Sequence, residues 1–220
     1  MKKIWLFFVL VFLAVFNSCI GLSMDIQMNR DGSGRLTFEY RVSNALGNLG
    51  LLDGNENWPT IPVGRADWER SIERINGASL GSFSSRNTGQ DTVTTVVINF
   101  DNVQTLLEVV DPFSERVSIV SEGNTNVLSL ILTTGSEDLS ALGFDPQLMA
   151  LAQIMFLGYD FSVSFSAHEN STMIITDGEG NAATPPALTE VVTSGRRVSM
   201  TIPMMDLIEI QNGLGVSFRW

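Results

Sequence analysis

A single cysteine, Cys19, and a single histidine, His168, stand among the 220 residues. One cysteine excludes an internal disulfide, and the two together leave too few soft ligands for a zinc or redox-metal centre. No metal ligand and no cofactor is therefore assigned. Basic residues are scarce, 13 against 24 acidic, for a formal charge of −11. That balance argues against nucleic acid as a partner and against electrostatic attachment to anionic lipid. No second long apolar run follows the N-terminal one, so no spanning helix is expected. No internal repeat, low-complexity tract or linker divides the chain.

What is present begins at residue 1. Met1-Lys2-Lys3 is a short basic start, Ile4 to Phe16 is unbroken apolar sequence, and Asn17-Ser18 precede Cys19. Basic, apolar and small-polar segments in that order make a secretory signal. The apolar run is shorter than the roughly 20 residues of a spanning helix. Phe16-Asn17-Ser18-Cys19 resembles a relaxed, spirochaete-type lipobox, bulky at −3 and small at −1. The expectation is a signal peptide over residues 1–18, cleavage before Cys19, and acyl chains such as palmitate on that cysteine. Loss of Lys2 and Lys3 would take the charge from −11 to −13. Membrane attachment would then rest on the acyl chains, two or more of which anchor stably.

Residues 19–220 are expected to form one extracytoplasmic α+β domain, a curved and mostly antiparallel sheet of hairpins with a few helices on one face. Met24, Ile26 and Met28, then Leu36, Phe38, Tyr40 and Val42, alternate about a turn containing Asp31-Gly32, a hairpin pattern. Trp68, Ile72 and Ile75 share a helix face. Strands follow near 80–85 and 93–100. Val103, Leu106, Leu107 and Val110 make a short helical stripe ended by Asp111-Pro112. Further strands are read near 116–120, 127–133, 161–165, 173–176, 198–202 and 214–220. Asp145-Pro146 opens a helix reaching about Leu157.

The order of these features resembles the LppM-like bacterial lipoprotein domain family. The resemblance rests on the signal with Cys19, the Met28-Asn29-Arg30-Asp31-Gly32-Ser33-Gly34 hairpin and the Phe100-Asp101-Asn102 segment. The late strand Val198–Ile202 and a last strand ending in Trp220 complete it. It implies a lipid-binding-like fold and, with it, a lipid ligand. Relatives often carry a C-terminal membrane helix; this chain ends without one.

Three patterns suggest chemistry and yield to plainer readings. Gly77-Ala78-Ser79-Leu80-Gly81 matches G-x-S-x-G, with Asp160 and His168 following. The nucleophile elbow needs a strand before the serine and a helix after it, and here the order is reversed. Asp177-Gly178-Glu179-Gly180-Asn181 resembles a calcium loop but has Leu188 where the bidentate glutamate belongs. It reads as an acidic turn. No catalytic residue is assigned, and no enzyme activity is expected.

The segment 148–157 is apolar almost all round, unlike an ordinary surface helix. It is either a buried core helix or the wall of an apolar cavity. In the second case Leu148, Leu151, Gln153, Ile154 and Met155 would line the pocket, and Met204-Met205 could join them.

The functional expectation is a lipid-anchored protein of the bacterial envelope, on the periplasmic or cell-surface side, that binds a lipid or other apolar ligand. The alternative is a structural or partner-binding surface lipoprotein with no cavity. A small outer-membrane β-barrel is a third reading, prompted by Leu214, Val216, Phe218 and Trp220. Two tyrosines are too few for aromatic girdles.

Overall fold

A computed structural model describes residues 20–44, 64–111, 115–123, 125–135 and 158–220. Cys19 and the whole of 136–157, with Leu148, Leu151, Gln153, Ile154 and Met155, lie outside the described residues.

Eleven strands and three helices follow one another in the described chain. They are β1 (Ile20–Met28), β2 (Gly34–Ser43), α1 (Arg65–Ile72), β3 (Ala78–Asn87), β4 (Asp91–Phe100) and α2 (Val103–Val110). Then come β5 (Val117–Glu122), β6 (Thr125–Thr133), β7 (Asp160–Ser166), β8 (Thr172–Thr176), β9 (Glu190–Ser194), β10 (Arg197–Pro203), α3 (Met204–Glu209) and β11 (Leu214–Arg219).

The strands form two open sheets. One has seven strands in the order β3-β4-β2-β1-β7-β10-β9, the other four in the order β5-β6-β11-β8. This corrects the expectation of one curved sheet. It also overturns the barrel reading, because both sheets of the described residues end in edge strands rather than closing. Neighbouring strands run antiparallel except β1 and β7, which pair in parallel from Leu22↔Phe161 to Gln27↔Ser166. A parallel pair needs a long crossover, and here the chain makes it through everything between β1 and β7. No helix among the described residues is long and apolar enough to cross a membrane.

Period-two alternation decides which side of the larger sheet is buried. Met24, Ile26 and Met28 on β1, Leu36 on β2, Val96 and Ile98 on β4, and Val163 and Phe165 on β7 point to one core. The smaller sheet covers part of this face: Phe165 stacks on Phe218 with ring centroids 5.1 Å apart and tilts against Trp220 at 4.8 Å. Helices cover another part, since Trp68 of α1 stacks on Phe38 at 6.1 Å and Ile72 and Leu106 are buried. Asn102 caps α2 by accepting from the Thr105 N–H at 3.0 Å.

The expected β1–β2 hairpin forms with Met28 opposite Gly34. Asp31 ties its turn by accepting from the Ser33 N–H at 3.1 Å and the Ser33 hydroxyl at 2.7 Å. One loop crossing depends on glycine. Gly135 and Gly213 both have φ +74, and a Cβ on Gly135 would come within 2.2 Å of the Gln211 carbonyl oxygen. Backbone meets backbone there, and a left-handed residue without a side chain is required.

Candidate functional site

Two hollows lie on opposite sides of the parallel β1/β7 pair. On the core side, Met24 and Phe161 join Val110, Val117, Leu130 and Leu132 around an apolar opening of about 200 Å³. Asp111 closes its rim. This buried carboxylate accepts from the backbone N–H groups of Arg116 at 2.6 Å and Val117 at 3.0 Å, so its charge is used in holding the start of β5.

On the outer side, Gly21, Leu22 and Ser23 of β1 and Asp160 and Ser162 of β7 line a polar cleft of about 550 Å³. Register builds it: Ser23 lies beside Glu39 on β2 and beside Ser162 on β7, and Ser162 lies beside Thr201 on β10. Glu39, Arg41, Gln90, Asp91, Gly158, Tyr159 and Thr201 complete the lining. Small-molecule sites typically occupy about 300–1,000 Å³. The polar cleft falls inside that range and the apolar opening below it.

Tyr159 organises the cleft. Its hydroxyl donates to Asp91 Oδ1 at 2.6 Å, although Asp91 belongs to a strand 68 residues away. Its backbone carbonyl accepts from the Met204 N–H at 2.8 Å, which fixes the start of α3 against it. The edge of its ring abuts Gly21, where a Cβ would come within 2.7 Å of Tyr159 Cδ1. Any side chain at position 21 would therefore displace Tyr159 and its bond to Asp91.

The charges in the cleft are partly spoken for. Arg41 pairs with Glu39 at 3.1 Å, and Thr95 contacts the second Glu39 oxygen at 3.4 Å. Ser162 and Thr201 share a hydrogen bond at 3.3 Å. Asp160 is exposed. Carboxylates thus outnumber the single arginine, so the cleft favours a cationic or neutral hydrogen-bonding group over an anion. Farther along the same face, Arg197 bonds Asp25 at 3.0 Å and the buried Ser164 at 2.8 Å, and Ser164 also donates to Asp25.

Of the candidates read from the sequence, Asp160 lines the polar cleft. Cys19 and the proposed pocket residues 148–157 are outside the described residues, and Met204 packs against the core beside Tyr159. Ser79 is exposed on β3, after α1 and a turn, the order read from the sequence. His168 Nε2 contacts Glu169 at 3.3 Å, and its Nδ1 has no hydrogen-bond partner among the described residues. Asp177 folds its own loop, accepting from the backbone N–H groups of Asn181 and Glu179, each at 2.9 Å, and from the Asn181 side chain at 3.1 Å. These bonds, Asn181 foremost, hold its carboxyl below the usual aspartate range.

Apart from Asp160, the cleft residues carry no motif that singles them out in the sequence. The outward parity of Glu39 and Arg41 between Phe38, Tyr40 and Val42 was available as a signal. The partnership with β7 was not, because parallel pairing across so long a crossover leaves no local pattern.

No protein-family model matches the chain, and no curated relative matches it. The fold aligns with the folded domain of Mycobacterium tuberculosis LppM, solved by NMR, over 92% of this chain and 89% of that one. Sequence identity is 9% and the TM-score is 0.46. At those values the likeness defines neither a family nor a function.

Proposed function

We propose that the chain is a lipid-anchored protein of the bacterial envelope, held through Cys19, whose polar cleft receives the headgroup of an amphiphile at the membrane surface. The observation that carries this is the position of the cleft beside the signal-like N-terminus. Strand β1 begins at Ile20, one residue after the cysteine, and Gly21 to Ser23 line the cleft. Successive Cα atoms are about 3.8 Å apart, so the cleft begins within about 8 Å of chain from the anchor. A group reaching it from the bilayer is a headgroup before it is an acyl chain. The carboxylates select an ammonium- or hydroxyl-bearing headgroup over a bare phosphate. On this reading the domain binds without catalysing a reaction.

The chain has no lysine after Lys3, which sharpens the test. After cleavage before Cys19, the α-amino group of residue 19 is the lone primary amine. Mass spectrometry of the mature N-terminus is expected to find diacylglyceryl-modified Cys19, and N-acylation would abolish amine labelling of the whole protein. Cys19→Ala is expected to move the protein to the soluble fraction or leave it unprocessed. An unmodified mature N-terminus at another residue refutes the anchor. Failure of the detergent-extracted wild-type chain to retain any lipid in native mass spectrometry refutes the headgroup site alone.

A structural or partner-binding role without a bound lipid is the second reading. One edge of the larger sheet favours it: β9 pairs on one side only, with β10, and all five of its residues are exposed.

A further inference from the structure

The lining of the polar cleft holds one charge of each sign that the fold leaves open to a ligand. Of its carboxylates, Asp91 accepts from the Tyr159 hydroxyl and Glu39 pairs with Arg41. Asp160 is exposed, and its side chain has no hydrogen bond or ion pair among the described residues. Arg41 is the cation of the lining. Its Nε and Nη2 both donate to a single Glu39 oxygen, at 3.3 and 3.1 Å, and its Nη1 has no partner among the described residues. The Arg41 side chain is 53% exposed, and surface pairs of this kind hold weakly. The guanidinium can therefore offer N–H groups to a ligand while it keeps Glu39.

Register sets the two charges apart. Arg41 on β2 lies beside Gly21 on β1. Asp160 stands one step before the Leu22↔Phe161 pair, which puts it on the other side of Gly21. Two strand spacings separate Arg41 from Asp160, roughly 10 Å between Cα atoms. Gly21 contributes no side chain between them. One level further along the strands, Ser23, Ser162 and Thr201 are successive neighbours across β1, β7 and β10. Their hydroxyls donate and accept alike.

Opposite charges on either side of a hydroxyl floor match a zwitterion. A bare anion meets three carboxylates, and a bare cation leaves Arg41 unmatched. A group carrying both charges meets each with its opposite. The kind of ammonium follows from the lining. A trimethylammonium donates no hydrogen bond and is held by open aromatic faces, whereas Tyr159, the aromatic residue of the lining, is only 8% exposed. A primary ammonium donates three hydrogen bonds and finds acceptors in Asp160, Ser162 and Thr201.

Resting on the headgroup reading of the cleft, we infer that its ligand is a phosphoethanolamine group, with the primary ammonium at Asp160 and the phosphate at Arg41. A phospholipid and free phosphoethanolamine share that chemistry, and the short distance from Cys19 to the cleft favours the lipid.

The full chain extracted in detergent, titrated with dihexanoyl phosphatidylethanolamine, phosphatidylcholine and phosphatidylglycerol and followed by native mass spectrometry, tests this. The ethanolamine lipid is expected to bind about fivefold more tightly than either of the others. Asp160→Asn is expected to bring it down to the level of the glycerol lipid. Asp160→Lys sets a cation on both sides of Gly21 and is expected to invert the preference in favour of the glycerol lipid. Arg41→Gln is expected to weaken all three lipids. Both positions are exposed, and circular dichroism of each variant checks that the fold is intact. Wild type that binds the choline or glycerol lipid as tightly as the ethanolamine lipid would overturn the inference and leave the headgroup site standing. So would a preference for ethanolamine that survives Asp160→Lys, or binding untouched by Arg41→Gln. Binding of none of the three lipids would overturn the headgroup site and the inference with it. Free phosphoethanolamine that binds as tightly as its lipid would uphold the pairing of charges and assign it to a soluble ligand.

Discussion

The two faces of the seven-stranded sheet are built from the same strands, one residue out of phase, and are made for different purposes. The inner face is filled by Ile26, Leu36, Val96, Val163, Phe165 and Met200, all essentially inaccessible to solvent. The outer face carries Asp25, Glu39, Arg41, Ser162, Arg197 and Thr201, which bond at the surface as Arg41 with Glu39, Ser162 with Thr201 and Arg197 with Asp25. The inner set is constrained by volume and therefore serves stability. The outer set is constrained by hydrogen-bonding partners, and its members can be exchanged without opening the core. A binding function has room to exist on that second face.

Substitutions on the two faces are expected to separate this way. Phe165→Ala removes the ring that stacks on Phe218 and touches Trp220. It is expected to cost about 3–5 kcal/mol in urea unfolding. A loss below about 1 kcal/mol would mean that the two sheets do not pack through this residue.

Gly21→Val tests the outer face where it comes closest to being packed. The new side chain must push the Tyr159 ring aside, at an expected cost of about 1–3 kcal/mol. Tyr159→Phe removes the hydroxyl that bonds Asp91 and is expected to cost about 1 kcal/mol. In a Tyr159→Ala background, Gly21→Val should be nearly neutral, because the obstacle is gone. Additivity of the two changes would show that residue 21 and the ring do not meet.

The smallest effect is expected at an exposed loop. In the folded state the Asp177 carboxyl is held below its ordinary value by the hydrogen bonds from Asn181 and Glu179. A depressed carboxylate stabilises the fold above its unfolded pKa, and that contribution is lost as pH falls through the folded one. Wild type should therefore lose slightly more thermal stability than Asp177→Asn as pH drops below the ordinary carboxylate value of 3.8. Parallel melting curves across that window would remove the loop from the list of acid-sensitive contacts.

Local order was legible where one period dominated. Met24–Met28 and Leu36–Val42 alternate cleanly about Asp31-Gly32, and they form the hairpin read from them. Leu106 and its stripe gave α2 because apolar spacing and the Asn102 cap agree. The segment Glu190–Ser194 was not read as a strand. Its Val191-Val192 pair breaks the alternation, and only its attachment to β10 holds it extended. The division into two sheets was illegible for a related reason. Phe161, Val163, Phe165 and Val216, Phe218 show the same period, and period says which residues are buried but not which sheet they join. The cleft had half a signal, the outward parity of Glu39 and Arg41. Its other half, Asp160 and Ser162, depends on a long-range parallel pairing that carries no sequence mark.

The place of β1 has a mechanical meaning on the anchored reading. A tether at Cys19 loads the molecule at the N-terminal end of a strand inside the sheet. That load runs along the strand axis into two ladders at once, nine registered pairs with β2 and six with β7. Pulling along a strand shears these bonds together, whereas an edge strand pulled sideways would unzip them one by one. Strain between the domain and its membrane would thus meet the stiffest direction of the larger sheet. Lateral drag on the domain would be borne by the bilayer before it was borne by the fold.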